Sequence, residues 1–229
     1  MNVKSLKKQL VAAIAMVVVA AVALSSSTFA WFAANNEVEA TGLNVTAQSD
    51  APNLVISNTS GGTFGTSQPA DESGALLYPA AHETFTQATD VTTVAKWYYG
   101  YSNDKADSTM VVSTKRTVDD ADFNKYVASY TFFVKLDSAT AADMKELKVS
   151  DVTFTGQAVN AIFVGPDGYE EVIAGNPPTG TVLASTVTGV TEVPVTVYLY
   201  VDGNNTNTTT NNIANLKDTI SFKLTANQQ

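Results

Sequence analysis

Val195-Thr196-Val197-Tyr198-Leu199-Tyr200-Val201 decides the fold class of this chain. Val195, Val197, Leu199 and Val201 fall on one side, and Thr196, Tyr198 and Tyr200 on the other. Apolar residues at every second position are the mark of a strand with one face against a core. The same rhythm returns at Tyr130, Phe132, Val134 and Leu136, with Thr131, Phe133 and Lys135 between them. It returns again at Ile220, Phe222, Leu224 and Ala226, between Thr219, Ser221, Lys223 and Thr225.

Working outward, shorter strands are predicted at Pro52–Ser57, Val91–Tyr99, Thr109–Ser113, Val149–Thr155, Val159–Val164, Glu170–Ala174 and Thr181–Thr186. Asp167-Gly168 between two of them predicts a hairpin of type I′, a turn that needs positive φ. Ser60-Gly61-Gly62 and Asn176-Pro177-Pro178-Thr179-Gly180 read as loops. Ser138 to Leu147 is the one helix-like stretch, two turns at most. Asp202 to Asn212 reads as a solvated polar loop. The chain is rich in Thr, Val, Ser, Asn and Gly, which favour strands and turns. The expected fold is all-β, a jelly-roll-like two-sheet sandwich of about ten strands in one domain.

The N-terminus carries a different signal. Lys4, Lys7 and Lys8 precede an apolar run from Leu10 to Leu24, followed by Ser25-Ser26-Ser27-Thr28-Phe29-Ala30. This is the charged, apolar and small-residue order of a secretory signal peptide, expected as a helix over residues 1–30. Fifteen apolar residues rise only ~22 Å, short of the ~30 Å hydrocarbon core. The expectation is export, with contact to the membrane only through the leader before cleavage. Three of the 13 basic residues then leave with it; 10 face 22 acidic residues, a net charge of −12. Such a surface excludes nucleic acid as a partner. Cysteine is absent, so neither disulfides nor thiolate chemistry is available.

Residues 31–47 form a segment of their own, ahead of a sandwich expected over 48–229. Laid out as a strand, Phe32, Ala34, Val38 and Ala40 share one face, and Glu37 and Glu39 lie on the other beside Trp31. After Gly42 the parity flips, and Leu43, Val45 and Ala47 become the apolar set. A shift of one residue sends side chains to the opposite face, so Gly42 reads as a bulge or hinge. Residues 31–40 therefore fold back on the molecule or reach into another. Burying their apolar face is worth roughly 5–8 kcal/mol gross at ~25 cal/mol per Å².

Thr28-Phe29-Ala30-Trp31-Phe32, with Asn36 and a polar strand after it, resembles the TasA/camelysin family of exported Gram-positive proteins. Archaeal pilus subunits are similar. Lys96-Trp97-Tyr98-Tyr99, the strand Val195–Val201 running into Asp202-Gly203, and the closing strand Ile220–Ala226 extend the likeness. The resemblance implies a jelly-roll sandwich that polymerises into extracellular, biofilm-type fibres by donating its N-terminal strand to a neighbouring copy. It also implies processing by a SipW-type signal peptidase between Ala30 and Trp31, with Thr28 and Ala30 in the recognition site. An accessory assembly protein is a further implied partner. The polymer interface would comprise Trp31, Phe32, Ala34, Val38, Ala40, Leu43 and Val45. The chain departs from TasA in lacking a long charged C-terminal extension.

Enzyme chemistry finds little footing. The single histidine, His82 in Ala81-His82-Glu83-Thr84-Phe85-Thr86, has Thr86 where a zincin helix needs its second His. No Gly-x-Ser-x-Gly elbow accompanies it. Asp119-Asp120 with Asp122, and Glu170-Glu171, are available carboxylates but read as solvated charge. Asp202–Asn205 offers oxygens for Ca²⁺ without the EF-hand spacing. The expectation is a non-enzyme with neither metal nor cofactor, and one histidine leaves little scope for a histidine switch. The alternative is a monomeric cell-surface adhesin or carbohydrate-binding domain held by an uncleaved leader, with Trp97, Tyr99 and Tyr101 as a sugar-stacking platform.

Overall fold

The structure is a computed structural model that describes residues 44–49, 54–70, 77–100, 115–139, 141–156, 158–205, 208 and 219–228. Residues 1–43 fall outside this set. So do the expected leader, the cleavage residues Thr28, Ala30 and Trp31, the interface residues Trp31, Phe32, Ala34, Val38, Ala40 and Leu43, and the hinge at Gly42. Tyr101 and the strand expected at Thr109–Ser113 also lie outside it.

Thirteen strands, β1–β13 in chain order, make up the described fold. The first sheet runs β11 (Val182–Val187), β8 (Met144–Phe154), β13 (Thr219–Gln228), β1 (Asn44–Ser49) and β3 (Ser67–Pro69). The second runs β10 (Tyr169–Val172), β9 (Val159–Val164), β12 (Val193–Val201), β7 (Val127–Leu136) and β2 (Leu54–Ser57). The two share one apolar core. At its centre Phe222 of β13 meets Phe132 of β7 and Phe163 of β9 edge-on, with ring centroids 5.6 and 4.9 Å apart. The all-β expectation is met, and the inward sets of β7, β12 and β13 are buried as their alternation requires, with Tyr130 half-buried against the core.

One pairing is unexpected. β1 lies parallel to β13, Val45 opposite Ile220 and Ala47 opposite Phe222, while every other paired strand runs antiparallel. Parallel neighbours need a long crossover, and here almost the whole chain supplies it.

A third sheet, β4 (Ala81–His82), β5 (Trp97–Tyr99) and β6 (Arg116–Thr117), was not anticipated. It covers the outward face of the second sheet, where Val127, Ile162 and Tyr200 join Ala80, Phe85, Val91, Trp97 and Val118 in a second core. β9 is consequently buried along nearly its whole length. The expected strand Val91–Tyr99 shrinks to Trp97–Tyr99, because 3₁₀ turns occupy Ala88–Thr92 and Val94–Lys96. The indole of Trp97 is fully buried and donates to the Val91 carbonyl at 2.8 Å.

The helix expected over Ser138–Leu147 does not form: its last four residues, Met144–Leu147, begin β8, and the described residues before them are turn and irregular chain. The inward residues of β8, Met144, Leu147, Val149, Val152 and Phe154, are spaced by three, two, three and two positions. That spacing imitates a helix over its first turn. Glu146 (φ 56°) and Asp151 (φ 47°) absorb the extra residues as bulges, and the register against β13 shifts near each. Each bulge carboxylate is held by a lysine, Glu146 by Lys148 at 3.0 Å and Asp151 by Lys223 at 3.1 Å.

The hairpin between β9 and β10 forms, but not through the expected turn. Gly165 donates to Gly168 across Pro166-Asp167, and neither Asp167 nor Gly168 has positive φ. Gly168 is required for a different reason: a Cβ there would stand 2.5 Å from the Val182 carbonyl oxygen.

Candidate functional site

The densest polar chemistry lies between the cover sheet and the second sheet, around His82. Ala80 donates to the Val201 carbonyl and accepts from Gly203, both at 2.9 Å, which bolts the start of β4 beside the end of β12. His82 follows directly and faces the second sheet. Its ring stacks on Phe85 at 4.2 Å and meets the rings of Trp97 and Tyr200 edge-on at 4.9 and 5.2 Å.

Its polar partners come from two other strands. On β10 the adjacent glutamates point to opposite faces, as the pleat requires. Glu170 is buried and accepts backbone N–H groups from Thr179, Gly180 and Thr181, so it organises the Pro177-Pro178 loop. Glu171 points outward, and its Oε1 lies 2.9 Å from His82 Nε2. The Tyr200 hydroxyl of β12 donates to that same oxygen at 2.5 Å. Asn160 donates to the Tyr200 oxygen at 3.1 Å and reaches Asp202 Oδ2 at 3.5 Å. His82 Nδ1 faces the carbonyl of Glu83 at 2.9 Å.

The electrostatics follow from burial and pairing. Burial pushes the Glu171 carboxyl up, but the hydrogen bonds from His82 and Tyr200 outweigh it and hold the carboxyl below its usual range. For His82 burial acts downward, and Glu171, with help from the Glu83 carbonyl and Asp202, reverses it and lifts the imidazole above 6.5. Burial raises Tyr200 well above the ordinary phenol value and raises Asp202 as well.

The Glu170-Glu171 pair is thus divided between two structural roles, neither exposed as a catalytic couple. Asp119 and Asp120 are exposed and Asp122 pairs with Lys125 at 2.7 Å, in keeping with solvated charge. Asp202 caps its own loop through the Asn204 N–H at 2.8 Å. Among the described residues no group of three or more His, Cys, Asp or Glu side chains is arranged to hold a metal ion. The aromatic platform loses its largest ring, since Trp97 is interior, while Tyr99 stacks on Tyr126 at 5.3 Å. Sequence reasoning missed the His82–Glu171–Tyr200 cluster because its members come from three distant strands. The available signal was the tyrosine pair on the presumed outward face of β12.

Strand addition needs open sheet edges, and three of the four that end the two large sheets, β11, β2 and β3, are guarded. At β11 the Leu183 carbonyl and the Ser185 N–H are both taken by Asp167, at 2.9 and 2.6 Å. At β2 both backbone groups of Ile56 are taken by Gly65. β3 is three residues long and ends in Pro69. Short, capped or proline-ended edges resist pairing with another chain. Val45 sits on β1, 2% exposed, between β13 and β3 of its own chain. On the outer face of the first sheet a groove of about 730 Å³ runs between β8, β13 and the Pro177-Pro178 loop.

No protein-family model, curated protein or solved structure matches this chain.

Proposed function

We propose that the chain is an exported structural subunit of an extracellular fibre, without catalytic activity, assembled by exchange of its N-terminal strand. The observation that carries this reading is the place of β1. This strand, which follows the segment 31–40 in sequence, completes the first sheet between β13 and β3 and puts Val45 and Ala47 into the core. On one side it has a six-residue ladder, on the other only three pairs. With the β11, β2 and β3 edges capped, a second copy gains most by supplying this interior strand. Head-to-tail exchange does not close on itself and gives an open filament.

The jelly-roll reading is supported by the chain path: wherever consecutive strands both belong to the two large sheets, the chain changes sheet, except at the β9–β10 hairpin. The parallel β1–β13 pair is its departure from an all-antiparallel roll. The leader pattern supports secretion, and cleavage before Trp31 by a SipW-type peptidase would free the strand. An accessory assembly protein would then govern when exchange occurs.

The test combines mass spectrometry of the mature N-terminus with negative-stain microscopy. A chain beginning at Trp31 that forms filaments, and a variant lacking 31–40 that stays a soluble β-rich monomer, are the expected results. Filaments from the truncated variant would sink strand exchange by this segment.

A further inference from the structure

The hydrogen-bond geometry around His82 favours a doubly protonated ring. Nδ1 lies 2.9 Å from the Glu83 carbonyl oxygen, which can only accept. Nε2 lies 2.9 Å from a carboxylate oxygen of Glu171, which also only accepts when ionised. The one hydroxyl proton of Tyr200, 3.1 Å from Nε2, is engaged with Glu171 at 2.5 Å. With Glu171 ionised, both ring nitrogens donate, which only the imidazolium can do.

We propose that His82 is a fixed imidazolium that latches the cover sheet onto β10 and β12, and that loss of its proton frees β4 and β5 from the second sheet.

The groups around the ring favour this charge. From β10 come Glu171 and the neighbouring Tyr169; from β12 comes Tyr200, with Asp202 just beyond. From the cover, Glu83 adds its carbonyl, while its carboxylate pairs at 3.5 Å with Lys115, the residue before β6. β5 contributes Trp97, and Lys96 ahead of it gives its carbonyl to the Glu83 N–H at 2.9 Å. The ring is largely enclosed, with 12% of its side-chain surface exposed. A neutral imidazole would set a lone pair against one of two oxygens in a site with little water to relieve it. The latch joins elements otherwise held by apolar contact, by the backbone bonds at Ala80 and by the Tyr169 hydroxyl to the Phe85 carbonyl at 2.7 Å. Deprotonation therefore releases the aromatic cover rather than the sandwich.

His82 is the one histidine, so its imidazole gives a single NMR titration in the full chain. The expected result is a doubly protonated ring at about pH 6 that titrates above its ordinary value. Amide exchange of Trp97–Tyr99, corrected for intrinsic base catalysis, should speed up across the same titration. The step should be on the order of tenfold, the factor lost with one hydrogen bond to a charged group. In Glu171→Gln the ring should titrate lower, with β5 already exchanging faster at about pH 6. A ring that is neutral at about pH 6, or one that titrates while β5 protection stays constant, overturns the latch. So does a His82→Gln variant that keeps the wild-type pH step. The wild-type titration decides the matter by itself if a variant does not fold.

Discussion

Asp167, in the turn between β9 and β10, and Ser185, on β11 of the first sheet, are joined by a 2.6 Å hydrogen bond from the Ser185 N–H to Asp167 Oδ2. The Asp167 N–H returns a bond to the Leu183 carbonyl at 2.9 Å. One turn residue therefore imitates a strand against the edge of β11. The Ser185 N–H holds the Asp167 carboxyl below its ordinary value of 3.8. A carboxyl lowered by folding contributes stability above its unfolded value, lost as pH falls through the folded one. Asp167→Asn should keep the shape, lower the neutral-pH urea midpoint and flatten the acid limb below about pH 4. Asp167→Ala should free the Ser185 N–H at the β11 edge and aggregate at lower concentration, as light scattering would register. An unchanged acid limb in the Asn variant would remove Asp167 from the pH dependence.

Gly165 packs where no side chain fits: a Cβ would stand 2.4 Å from the Leu183 carbonyl oxygen and 2.7 Å from the Leu183 Cβ. Both obstacles belong to rigid strand rather than a movable side-chain tip. Gly165→Ala should cost about 1–3 kcal/mol by urea denaturation, through displacement of β11. Gly175, with φ 89° and open space around it, isolates the backbone effect. Gly175→Ala should cost about 1–2 kcal/mol with no change in β11 exchange rates. Equal β11 disturbance in both variants would refute the steric account.

The β8 bulge at Asp151 holds a non-glycine residue at φ 47°. Asp151→Gly relieves that strain, while the ion pair lost to Lys223 is largely solvent-exposed and weak. The variant should be neutral to more stable by about 1 kcal/mol, and Asp151→Val less stable by about 1–2 kcal/mol. Thermal unfolding of the pair checks the order; a valine variant at least as stable as the glycine one would exclude the bulge geometry.

Much of the fold was legible because strand alternation is a local property. β9 begins and ends at Val159 and Val164 as expected, and the inward residues of β7, β12 and β13 are those the alternation picks out. Where reading failed, two signals looked alike. The bulges of β8 put apolar residues three apart, as one face of a helix does. Tyr198 and Tyr200 read as an outward face, and nothing local tells a solvated tyrosine from one under a second layer. The candidate site was illegible for a related reason. His82 and Glu171 are 89 positions apart, and each alone looks like an ordinary surface residue.

From its residues alone, the chain determined that it would be built of strands, roughly where its longer ones lie, and which of their faces turn inward. Those choices follow from backbone preference and a two-residue repeat that operates within a few positions. Tertiary structure decided that the first described strand would lie parallel to the last, that a third sheet would roof the second, and that a lone histidine would be enclosed against a carboxylate. These outcomes depend on which distant groups share a dry space, where a lone pair or an uncovered ring has no water to turn to.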